Sequence, residues 1–133
     1  ALDAVLAAHE AGRAFTDVPV LRMLAAPLDE IRARAEALAE ALRQECPGIE
    51  VTLADGSSAV GGGAAPTVEI PTTLLRLRHP GRGPAALAAA LRAERPPVVA
   101  RVAEDRLVLD LRTVAASEEP ALKRALARVL ASP

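Results

Sequence analysis

Val98-Val99-Ala100-Arg101-Val102-Ala103-Glu104-Asp105-Arg106-Leu107-Val108-Leu109-Asp110-Leu111-Arg112 is the stretch that decides the fold. Two apolar-rich runs, Val98 to Ala103 and Arg106 to Arg112, flank the two-residue turn Glu104-Asp105, a pattern that predicts a β-hairpin. Such a turn places Ala103 opposite Arg106 and Arg101 opposite Val108. Asp110 then lies diagonal to Arg101 on one face. Val98, Ala100, Val102, Leu107, Leu109 and Leu111 make the opposite, buried face.

Two more extended segments precede this hairpin. Ile49, Val51 and Leu53 alternate with Glu50 and Thr52. Val68 and Ile70 start the next run, which Leu75 and Leu77 continue past Pro71, with Arg76, Arg78 and His79 nearer solvent. Between them stands Ser58-Ala59-Val60-Gly61-Gly62-Gly63-Ala64-Ala65-Pro66. Gly61, Gly62 and Gly63 mark either a flexible loop or a backbone that turns sharply or approaches something closely.

Helical patterns fill the rest. Leu2, Val5, Leu6 and His9 share one face of a helix from Ala1 to about Arg13. Thr16 or Asp17 is placed to cap a short second helix with Pro19 in its first turn. Leu28, Ile31, Ala35, Leu38 and Leu42 recur at spacings of three and four, predicting a helix from Leu28 to Glu45, with Glu30 facing Arg34. Pro84 opens a helix to about Arg95 that Pro96-Pro97 stops. Ser117 is placed to cap a last helix carrying Leu122, Leu126 and Leu130. The order predicts an α+β domain: an antiparallel sheet of about four strands with helices packed on one face.

Composition narrows the function. The chain has 133 residues, enough for one ordinary domain. Phe15 is the only aromatic residue, which argues against a base-stacking nucleic-acid surface. A net charge of −1 gives no general pull toward nucleic acid or membrane. The single cysteine, Cys46, allows no internal disulfide and fits the cytoplasm. It precedes Pro47-Gly48 at a helix end, where a capping residue is a better reading than a nucleophile. Two distant histidines and one cysteine make no metal site. Asp55-Gly56-Ser57-Ser58 lacks the pattern of a nucleophile turn, and Gly81-Arg82-Gly83 reads as a turn. No signal peptide or membrane-spanning run is present. The chain starts at Ala1 inside a helical pattern, as expected of a piece of a longer protein.

Three arginines stand out as candidate binding residues. Arg22 sits in an apolar run, where a guanidinium needs an anion or a carbonyl. Arg101 and Arg112 share a strand face with Asp110. They are compatible with a structural Arg101–Asp110 pair, or with a pocket for a carboxylate or oxyanion.

Pro19-Val20-Leu21-Arg22-Met23-Leu24, the Ser58 to Pro66 glycine segment with Glu69-Ile70-Pro71, Pro97-Val98-Val99-Ala100-Arg101, and Leu109-Asp110-Leu111-Arg112-Thr113-Val114 follow one another in this order. Together they resemble the bacterial selenocysteine synthase family over nearly the whole chain. Ala100 departs from the glycine expected there, and alanine fits a strand. The resemblance implies the small C-terminal domain of a fold-type-I pyridoxal-phosphate enzyme. Residues 1–26 would be the end of the large domain and connecting helices, and residues 27–133 the small domain. It further implies that the family replaces the hydroxyl of seryl-tRNA(Sec) with selenium from selenophosphate, and assembles as a ring of dimers. The Schiff-base lysine is expected upstream of Ala1, since Lys123 does not match it, so this chain alone is expected to be inactive. Arg22 is implied to bind the anionic selenium donor. Arg101 and Arg112 would meet the donor, the tRNA end or Asp110. Gly61–Gly63 would lie near the active-site entrance or a subunit interface. Two other readings compete: a related lyase acting on a phosphorylated sugar acid, and a non-catalytic interaction domain.

Overall fold

The computed structural model describes residues 1–59 and 69–132. Gly61, Gly62 and Gly63 lie outside the described residues. Among the described residues, six helices and four strands follow in order: α1 (Leu2–Glu10), α2 (Ala14–Asp17), α3 (Pro19–Ala25), α4 (Leu28–Glu45), β1 (Glu50–Ala59), β2 (Glu69–Arg78), α5 (Pro84–Ala93), β3 (Arg101–Ala103), β4 (Arg106–Asp110) and α6 (Glu119–Ala131). Short 3-10 turns at Leu111–Thr113 and Ala116–Glu118 join β4 to α6.

The strands form one antiparallel sheet in the order β1-β2-β4-β3. The hairpin register is the one a two-residue turn requires, with Arg101 opposite Val108 and Ala103 opposite Arg106. Glu104 and Asp105 both take the left-handed conformation, at φ 51° and 54°. Two successive residues at positive φ match the right-handed twist of the flanking strands. Pro71 lies inside β2, opposite Ser57. β4 pairs with β2 only from Leu74 to Leu77, so Pro71 sits beyond the two-sided part of the sheet, where proline is tolerated.

Alternation puts Val51, Leu75, Leu77, Leu107 and Leu109 on one face, and α4, α5 and α6 cover it. Ile31, Ala35, Leu38 and Leu42 of α4 are the buried stripe the spacing predicts. Leu87 and Leu91 of α5 and Leu122, Leu126 and Leu130 of α6 complete the layer. Leucines 75, 77 and 107 are fully buried, each contributing about 1.5–3 kcal/mol through removal from water.

Several local expectations change. Val102 is 45% exposed, because β3 is a three-residue edge strand that the helical layer leaves partly uncovered. Leu111 and Arg112 lie in a 3-10 turn rather than in the strand: the Asp110 carboxylate accepts the Arg112 N–H and ends β4. Thr16 and Asp17 fall inside α2, and α3 starts after Val18 with no side-chain cap. Ser117 lies in the 3-10 turn before α6 and caps nothing; Glu118 instead accepts the Ala115 N–H at 3.2 Å. Leu2, Val5 and Leu6 of α1 are exposed, together with Phe15 and Val20.

Cys46 ends α4 and is 5% exposed. Burial pushes its thiol above the ordinary range, and Glu45 beside it adds to the effect. The native state therefore holds the thiol proton more tightly than the unfolded chain does. Its stabilising contribution is complete below the ordinary thiol pKa and is lost as pH rises through the raised native value. Iodoacetamide should label Cys46 slowly in the folded protein at pH 8 and quickly in urea, as read by mass spectrometry.

Positive φ costs a non-glycine residue about 1 kcal/mol. Asp105→Gly should raise the urea midpoint by an equivalent amount at unchanged slope. Glu104 is left in place because its carboxylate meets Arg76 at 3.1 Å.

Candidate functional site

The face of the sheet opposite the helices carries Ser58 of β1, Thr72 of β2 and Asp110 of β4. Their positions converge at one end of the sheet. Ser58 Oγ donates to Asp110 Oδ2. Thr72 Oγ1 donates to Asp110 Oδ1 at 2.8 Å, and the Arg112 N–H donates to the same oxygen at 3.0 Å. One carboxylate thus links three strands and the turn that follows them. Gly56 lets this happen: a Cβ there would lie 2.5 Å from Leu74 Cδ1 and 2.8 Å from its Cγ. Leu74 is buried between β1 and β4, opposite both Ala54 and Asp110.

Asp110 makes no ion pair with Arg101. Its oxygens are taken by hydroxyls and a backbone N–H, and the diagonal pairing expected from the hairpin register does not form. Arg101 is exposed on β3, and its guanidinium makes no hydrogen bond or ion pair with a described residue. It lines a cavity of about 520 Å³ whose apolar wall includes Leu74, Val99 and Val108, with Asp110 and Ser58 supplying polar groups.

Arg112 is 4% exposed. Its guanidinium donates to Met23 O at 3.1 Å, Ala26 O at 2.7 Å and Pro71 O at 2.8 Å. Met23 and Ala26 sit at the end of α3, where carbonyls lack partners within the helix. Arg112 Nε has no partner among the described residues. Neighbouring Arg34 donates to Val114 O at 2.6 Å and pairs with Glu119, while Glu30 stands 3.9 Å from it.

Arg22 is exposed, and its guanidinium makes no hydrogen bond or ion pair with a described residue. With Arg34, Arg112, Glu30 and Ser117 it lines a second cavity of about 300 Å³. The three predicted arginines therefore separate. Arg22 and Arg112 share one cavity, and Arg101 faces the other. The sequence reading missed the Ser58–Asp110–Thr72 cluster and Arg34. Both lay in the strand alternation and in the Glu30–Arg34 spacing, but their long-range partners did not.

Lys123 is the sole lysine. Its Nζ is 2.6 Å from Glu45 Oε1, and it lines neither the cavity of Arg101 nor that of Arg22. The one lysine of the chain is thus engaged by a carboxylate away from both of those cavities. Among the described residues, no group of three or more His, Cys, Asp or Glu is placed to hold a metal ion. No helix among them is long and apolar enough to cross a membrane.

The family model described as L-seryl-tRNA selenium transferase matches residues 1–115. The chain belongs to this family. Relatives named L-seryl-tRNA(Sec) selenium transferase bear out the assignment. The Geobacter sulfurreducens protein is 42% identical over 121 residues, covering 90% of this chain and 26% of the relative. That of Hyphomonas neptunium is 40% identical over 131 residues, covering 97% of this chain and 28% of the relative. That of Aquifex aeolicus is 34% identical over 116 residues, covering 87% and 25%. The chain thus spans about a quarter of the length of these transferases.

Gly56→Ala should cost about 1–3 kcal/mol, because the new methyl must displace a buried leucine side chain. Chemical denaturation followed by far-ultraviolet circular dichroism measures the loss.

Proposed function

We propose that the longer protein containing this chain is a cytoplasmic, pyridoxal-phosphate-dependent transferase that converts seryl-tRNA(Sec) to selenocysteinyl-tRNA(Sec), with selenophosphate as selenium donor. The family match over residues 1–115 carries this reading. On this reading residues 27–133 are its small domain, and residues 1–26 are the end of its large domain and the connecting helices. The cofactor would supply the electron sink that lets the seryl hydroxyl leave. Its lysine belongs, on this reading, to the part of the protein outside the chain, consistent with the engagement of Lys123 by Glu45.

This chain's own contribution is binding. Arg22 is assigned to the anionic donor: an exposed guanidinium at a cavity of about 300 Å³ can take a phosphate-sized group by paired hydrogen bonds. Arg101 is assigned to the aminoacyl end of the tRNA. The larger, mostly apolar cavity beside it has room for that end, and its charge suits a phosphate. Exposed Leu2, Leu6, Phe15 and Val20 support packing of α1–α3 against the remainder of the protein or a second copy in a homo-oligomer.

The test uses the full-length protein. A band near about 420 nm that borohydride abolishes, with conversion of seryl-tRNA in the presence of selenophosphate, is the expected result. Arg22→Ala should raise the donor KM about tenfold or more. A protein with neither bound cofactor nor conversion overturns the assignment.

A further inference from the structure

The helix that carries Arg22 is weakly attached by its own side chains. No residue of α3 is buried, and at seven residues it is too short to be stable alone. What fastens it is Arg112, whose guanidinium reaches across to Met23 O and Ala26 O while also holding Pro71 O of β2. The same residue's N–H is fixed by Asp110, which Ser58 and Thr72 hold in turn. Arg22 is adjacent to Met23, so the rotation of α3 about this anchor decides where the Arg22 charge points.

We propose that Arg112 is a positioning residue, clamping the end of α3 to the end of the sheet and so setting the orientation of Arg22 toward the anionic donor. The proposal rests on the transferase reading for its ligand, but its geometry does not. A buried guanidinium bound to three carbonyls of two separate segments is a clamp whatever Arg22 binds. Arg112 is 4% exposed and its guanidinium is committed to three carbonyls, so its role runs through the main chain of residues 23 and 26.

Two measurements on the full-length protein test this. The first is hydrogen exchange at residues 19–26. In the wild type these amides should be protected well beyond an isolated seven-residue helix, and Arg112→Met or Arg112→Lys should speed their exchange about tenfold or more while β2 and β4 stay protected. Lysine keeps the charge but cannot span three acceptors. Unprotected amides in the wild type overturn the clamp even if neither variant folds. The second is a kinetic cycle. Arg112→Lys should raise the selenophosphate KM with little change in the seryl-tRNA KM, and the double variant with Arg22→Ala should be no worse than Arg22→Ala alone. Additive losses, or a fall in kcat alone, overturn the positioning role. If the wild type converts no seryl-tRNA, the transferase reading fails, and the exchange result still decides the clamp.

Discussion

A guanidinium buried without a carboxylate against it is the constraint on which the arrangement of this domain depends. Removing Arg112 from water costs several kcal/mol. Three carbonyl acceptors offset that cost, each charged hydrogen bond contributing about 1.5–3 kcal/mol. The balance closes only when Met23, Ala26 and Pro71 are all in place. The end of α3, the start of β2 and the turn after β4 are thereby committed to one geometry.

Asp110 does for the sheet what Arg112 does for the connection. A carboxylate can accept about four hydrogen bonds, and here three donors arrive from β1, β2 and the turn after β4. Its engagement explains why Arg101 stays exposed. Its oxygens accept from neutral donors, and the arginine on the edge strand forms no ion pair with it.

Much of the architecture was legible in the residues. The α4 stripe follows from spacings of three and four, and the hairpin register follows from a two-residue turn, because both depend on neighbours close in sequence. The fate of Arg112 was not legible in that way. Its acceptors lie 89, 86 and 41 residues away and are main-chain oxygens, which leave no mark on side-chain pattern. Alternation assigned it to a strand face beside Asp110. The cap that Asp110 places on its N–H ends the strand two residues earlier, at Asp110. Val102 failed for a related reason: alternation tells which face a residue takes, not whether a helix reaches far enough to cover it.

Because the Arg112 clamp reads carbonyl oxygens, the identities of residues 23 and 26 are decoupled from it. Any side chains that keep α3 helical present the same two oxygens. Across diverging sequences those positions can drift without a compensating change at 112. Methods that infer contacts from paired substitutions would see no partner for Arg112, although it joins two parts of the chain.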